Sequence, residues 1–380
     1  MRIFQVIEAS TNSALPQSQI WLWKLYEPLV EMGHEVVLFP AEEGIQAWLT
    51  NNAALRERFS ERLWTTLKQE HQRVPFDLFF AYLRDGMVLP EVIDAINQLG
   101  VPTCNFSCNN AHQFHLVQEI SRHFTYSLHS ERDCREKFLQ VGARPIWFQM
   151  AANPRRYAPQ PVPRTVPVSF VGMNYALRSE YILYLLEQGV EVHVYGPGWL
   201  PASSGWLPRR WMKRQLLLLR ALLAPSVERQ VERSADLWRY ELTRLLFHRY
   251  RRYLHPPIDD QAMVRLYSAS QISLGFLEVF EGHNPRRAVV QHLHLREFEA
   301  PMAGALYCTN YSDELAEHFE PDREVLVFRN RYELLDKVRY YLTHPEEAEA
   351  IRQRGRARAL RDHTWQVRFQ HLFRQIGLAA

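Results

Sequence analysis

Strand-like runs and helical patterns alternate along this chain almost from its first residues, stop at a proline-dense stretch, and then begin again. RIFQVIEA, HEVVLFP, FDLFFAYL, VPTCNFSC, FTYSLH and RPIWFQMA are each followed by a helical or polar segment. That alternation predicts parallel sheets with crossover helices on both faces, because parallel neighbours need a long connection between them. The stretch ANPRRYAPQPVPRTVP holds five prolines in sixteen residues, a density that stops helices and central strands and stiffens a linker. Past it the pattern restarts with VSFVG, a helix from about Arg178, and VEVHVYG. The expected organisation is an α/β chain of two doubly wound domains: residues 1–152, a linker at 153–166, and residues 167–362 with a helical insert at 201–256, then a terminal segment 363–380.

Composition matters at three points. Apolar residues make up 47% of the 380, enough for two full cores and too many for a disordered chain. The four cysteines do not form a disulfide framework, and MRIFQVIEAS carries no signal-peptide pattern, so the expected location is cytoplasmic. The net charge of +3 conceals an uneven distribution: Trp206 to Arg252 hold twelve Lys and Arg against four Asp and Glu, a local +8 on a mildly acidic body. The same insert is rich in Leu and Trp, and the run LLLLRALLA is about half the ~20 residues a membrane span needs. Two readings stand for it: a helical hairpin packed on the second domain, or a peripheral contact with an anionic membrane, which would put the protein at the inner face of the membrane. No nucleic-acid recognition module accompanies the basic helices, so nucleic acid is not an expected partner.

Two doubly wound domains in tandem bring the carboxyl ends of both sheets to a shared cleft, where such sheets bind ligands. In SFVGMNYALRSEY the turn after the first strand of the second domain carries Gly172 and Asn174, and Arg178 opens the next helix. A close backbone approach, unpaired N–H groups and a fixed cation suit a phosphate, although an ordinary strand-helix turn looks similar. In HLREFEAPMAGALYCT, Arg296 and Glu299 share a helix face; Arg296 can meet a diphosphate and Glu299 ribose hydroxyls, or the two can simply pair. In the first domain, CNFSCNNAHQFH places Asn109, Asn110 and His112 after a strand, facing the cleft. His112 is a candidate base and Asp85, after FDLFFAYLR, a second; helix capping is the plainer role for His112. Cys104, Cys108, His112 and His115 have zinc-like spacing, but two cysteines four apart in a strand lie some ~13 Å apart, so no metal is expected.

The stretch from Leu295 to Phe369, with YSLHSERDCREKFLQVGARPIWFQMAANPRRYAP and VSFVGMNYALRSEYILYLLEQGVEVHVYGPGW before it, resembles GT-B glycosyltransferases, in particular the spore maturation protein CgeB-like group. The resemblance covers most of the chain outside the basic insert. It implies transfer of a sugar from a UDP- or GDP-type nucleotide sugar to a glycan, lipid or protein acceptor, with retention, no cofactor and no metal. It further implies that the last helix returns to the first domain. Donor contacts fall on Gly172, Asn174, Arg178, Arg296 and Glu299, with Tyr195 and Gly196 beside the base and His112, Asn109 and Asn110 toward the sugar. Glu299 matches the second glutamate of a Glu-x7-Glu motif; the first position is Gln291. Ser10, Thr11, Asn12 and Ser13 stand where the family has a glycine-rich loop, which makes Asn12 a substrate candidate. These two departures keep open a non-catalytic binding or scaffold protein of the same fold, with a nucleotide-sugar epimerase as a further alternative.

Overall fold

The structure, a computed structural model, describes residues 1–9, 20–199, 246–280 and 288–378. Asn12 and most of the basic insert lie outside them. The first domain is a six-stranded sheet of β1 (Arg2–Ile7), β2 (Glu35–Pro40), β3 (Leu78–Ala81), β4 (Thr103–Ser107), β5 (Tyr126–His129) and β6 (Pro145–Trp147), ordered β2-β1-β3-β4-β5-β6. Every pairing in it is parallel. The second sheet holds β7 (Val166–Val171), β8 (Val192–Tyr195), β9 (Leu254–His255), β10 (Ser270–Leu274), β13 (Tyr307–Asn310) and β14 (Leu326–Phe328), again all parallel, ordered β14-β13-β10-β7-β8-β9. The strands β11 (Glu278–Phe280) and β12 (Val289–Gln291) form a separate antiparallel pair.

In the second sheet the chain runs outward from β7 through β8 and β9 and returns on the other side with β10. The order therefore reverses between β7 and β10, and the crevice at their carboxyl ends is where such a sheet receives a ligand. The linker is fixed to this domain: Arg164 donates to the carbonyls of Ser268, Ser270 and Gly304 at 3.0, 3.1 and 3.2 Å.

The last helix, Trp365–Gln375, starts at a Thr364 cap whose hydroxyl accepts from the Val367 N–H at 3.2 Å. Its buried face carries Trp365, Phe369, Leu372 and Phe373, the stripe of an amphipathic helix. Trp365 packs edge-on against Phe106, and Phe369 against Phe80, with ring centroids at 6.2 and 5.5 Å. These partners belong to the first sheet, so the chain's end crosses back and joins both domains in one core cluster.

Local readings differ from the structure where a turn is set by one residue. A single polar helix is expected at about residues 45–72; the chain instead forms Glu42–Thr50 and Ala53–Arg73, separated by Asn51 in the left-handed region (φ 48°) and by Asn52, whose side chain caps the second helix. The helix expected near Gln113 to Arg122 is a succession of short turns, Phe114–Leu116 and Ile120–His123, after the four-residue Asn110–Gln113.

Candidate active site in the interdomain cleft

The turn after β7 is shaped by glycine. The Gly172 N–H donates to the Tyr195 carbonyl at 2.8 Å and its own carbonyl accepts from the Trp199 indole at 2.7 Å. Gly196 has φ +151°, and a Cβ on it would fall 2.2 Å from the Gly172 oxygen. Only glycine fits where these two loops touch. Asn174 continues the contact, its N–H reaching the Pro197 carbonyl at 3.0 Å and its side chain the Gly198 carbonyl at 3.3 Å. Gly172, Asn174 and Gly196 thus hold the loop that presents Arg178, and Tyr195 stacks on His255 with centroids 4.4 Å apart.

Arg178 is the first residue of the helix Arg178–Glu187 and is 4% exposed. Its guanidinium donates to the Met173 carbonyl at 3.1 Å and the Tyr175 hydroxyl at 2.6 Å, and lies 3.7 Å from the Tyr175 ring centroid. Burial lowers its pKa to about 10, and its Nε is buried without a hydrogen-bond partner. Arg296 opens the helix Arg296–Met302, and its Nε is likewise buried and unpartnered.

Three imidazoles complete the cluster. His292 and His294 precede Arg296, with ring centroids 4.0 Å apart, and His112 of the first domain lies 5.2 Å from His292. Burial, then the fields of His292, Arg178, Arg296 and His112, push His294 well below the usual histidine range. Two guanidinium groups and three imidazoles therefore converge at the reversal point of the second sheet. Such a set favours an anion and disfavours additional positive charge.

The carboxylates nearby are already engaged. Glu297 accepts from the Tyr307 hydroxyl at 2.7 Å and the His294 N–H at 2.6 Å, and burial raises its pKa to about 7. Glu299 does not pair with Arg296 as their spacing invites: its Oε1 accepts from Lys24 of the first domain at 2.5 Å, and both side chains are buried. Tyr157 of the linker stands beside them, its hydroxyl 3.3 Å from the Lys24 amine. Gln291 is exposed at the end of β12.

The remaining first-domain candidates separate. His112 reaches the cluster. Asp85 instead accepts from the N–H groups of Ile120 and Glu119 at 2.8 and 3.2 Å, capping a helical turn. Asn110 is buried, with its N–H donating to Glu131 at 3.0 Å and its side chain bonded to Ser107. Asn109 adopts the left-handed conformation (φ 61°) that starts the Asn110–Gln113 turn. Among the described residues no group of His, Cys, Asp and Glu is arranged to hold a metal ion. Sequence reasoning missed His292, His294 and Lys24. The alternating HLHL before Arg296 was the available signal for the histidines, whereas a contact between residues 24 and 299 leaves no local mark.

Residues 178–374, just over half of the chain, match a family model described as glycosyl transferase-like. The chain belongs to this family. The match leaves the CgeB-like group undistinguished within it. Among curated proteins none matches this glycosyltransferase. Its fold is shared with solved structures at low identity. Sucrose-phosphate synthase from Thermosynechococcus elongatus is 12% identical with a TM-score of 0.54, covering 99% of both chains. Anabaena HepE, solved in complex with UDP and glucose, is 12% identical with a TM-score of 0.53 over 99% of both chains. A glycosyltransferase from Rickettsia africae is 11% identical with a TM-score of 0.58, over 98% of this chain and 97% of that one. The enzyme is thus a GT-B glycosyltransferase of two Rossmann-like domains. Among its described residues no helix is long and apolar enough to cross a membrane.

Proposed function

We propose that this glycosyltransferase uses a nucleoside-diphosphate sugar and seats the diphosphate among Arg178, Arg296 and His294. The observation that carries this is the pair of buried, unpartnered guanidinium Nε atoms at the crevice between β7 and β10. A buried donor without an acceptor costs about 1–3 kcal/mol, so a built site of this kind is completed by an acceptor-rich ligand. Departure of a nucleoside diphosphate also needs its developing charge neutralised, and oriented cations supply that in a water-poor cleft. HepE's complexes with UDP and glucose support the choice of nucleotide class. In this reading His112 faces the transferred sugar or the acceptor hydroxyl across the cleft, and transfer retains configuration. Glu299 reaches a ribose only when its pair with Lys24 opens.

Thermal unfolding with UDP, GDP and their sugars tests the donor class. A nucleotide at 100 times its Kd should stabilise the protein by ~2.7 kcal/mol. No shift with any of them would refute the proposed donor; a shift without turnover would instead favour a binding or scaffold role.

The basic insert extends the proposal to location, with an anionic membrane surface as the partner of residues 206–252. Deleting them should leave UDP binding intact and reduce co-sedimentation with phosphatidylserine-containing vesicles. Equal sedimentation without the segment would return it to a packing role on the second domain.

A further inference from the structure

The cationic cluster joins two guanidinium groups of fixed charge to three titratable imidazoles, and His294 lies among the others. His294 sits between His292 on its own segment, Arg178 on the helix after β7, Arg296 and Glu297 on the following helix, and His112 from the first domain. Glu297 meets its backbone N–H rather than its ring. The ring Nε2 is buried with no hydrogen-bond partner. Half-buried beside two guanidinium groups, the imidazole is held neutral at neutral pH. A diphosphate entering among Arg178, Arg296 and His294 reverses the field at that ring. It brings several negative charges and supplies oxygen acceptors that an imidazolium N–H satisfies better than a neutral ring does.

Resting on the proposed donor site, we propose that His294 is a proton-accepting contact of the diphosphate: it takes one proton from solvent as the anion binds and holds the leaving group as a cation. The proton balance is simple, with one proton removed from the buffer for each nucleotide bound and returned when the product leaves. By linkage, affinity then falls as pH rises, up to tenfold per pH unit between the pKa of the free ring and that of the complex, and levels off above the latter. Arg178, lowered to about 10, stays charged through neutral pH, whereas Glu297, raised to about 7, feels the same anion, so the His294 variants assign the slope at pH 7.5–8.5. The nucleotide contributes little there, since a terminal phosphate titrates near pH 6.

Isothermal titration of UDP into the full-length protein at pH 8 tests this, in buffers of differing ionisation enthalpy. The expected uptake is roughly half to one proton per UDP, because the bound anion favours the protonated ring. His294→Asn and His294→Gln should bind UDP more weakly and with uptake near zero. Uptake near zero in the wild-type protein, or uptake that persists in both variants, overturns the assignment. Uptake near zero in the wild-type protein overturns the proposal even if neither variant folds. Failure of UDP and GDP to bind the wild-type protein at all would instead remove the donor site on which the inference rests.

Discussion

Lys24→Ala should destabilise the folded protein by about 3–5 kcal/mol, the cost of leaving one partner of a buried ion pair unmatched. The Lys24 amine and Glu299 carboxylate are 2.5 Å apart, with side chains 1% and 3% exposed. Lys24 lies in the turn Leu22–Tyr26 of the first domain and Glu299 in the helix Arg296–Met302 of the second, so the pair spans the interface. Around the pair, the Tyr157 hydroxyl is 3.3 Å from the amine and its ring centroid 5.5 Å away, and the charges of Asp260 and Arg296 act at longer range. With the lysine gone, the carboxylate must either protonate or draw water between the domains. The remedy is to remove both charges. Lys24→Met combined with Glu299→Gln should recover most of the loss, because well-packed neutral groups replace a buried pair at little cost. Urea unfolding of the single and double variants measures this. A Lys24→Ala loss below about 1 kcal/mol would mean that water already reaches the pair and that it contributes no more than a surface bridge.

Much of this architecture is legible from residue patterns. The six strands of the first sheet coincide with six β-rich runs; β1 and β3, buried along their whole length, show most clearly the apolar run that a central parallel strand favours. The proline-dense stretch falls almost wholly between β6 and β7, since proline continues neither helix nor central strand. Other features leave a weaker local signal. β9 has only two residues, Leu254–His255, and the β11–β12 pair has three in each strand, too short for a period to show. The break at Asn51 depends on one residue entering the left-handed region, in a segment whose polar pattern is helical on both sides. Within the candidate site, Arg178 stands out in sequence from the turn after a strand, and Arg296 from the helix face it shares with Glu299. The engagement of Asp85, Asn110 and Glu299 leaves little local mark, because their partners lie 21 or more positions away in sequence, apart from Ser107, which meets the Asn110 side chain. A carboxylate at the end of a strand has the same local sequence whether it faces a substrate or caps a neighbouring turn.

Arg296→Ala and Arg178→Ala should each lower turnover of the donor by a factor of about 10² to 10³, the range for removing one oriented donor from a developing oxyanion. The two variants should differ in stability, and that difference identifies the functional group. Arg178 donates to the Met173 carbonyl and Tyr175 hydroxyl and stacks on the Tyr175 ring, so its removal also loosens the loop after β7. Arg296 also has a buried, unpartnered Nε, and its charge is held by the fields of Tyr267, Glu299, Tyr307 and Glu297 rather than by bonds that fix a loop. Arg296→Ala should therefore cost less stability than Arg178→Ala while losing the stabilisation by UDP. Arg296→Lys should restore charge without the planar fork and recover only part of the turnover. Wild-type turnover and an unchanged UDP shift in Arg296→Ala would show that its guanidinium does not meet the diphosphate, and would leave Arg178 with the histidines as the anion's partners.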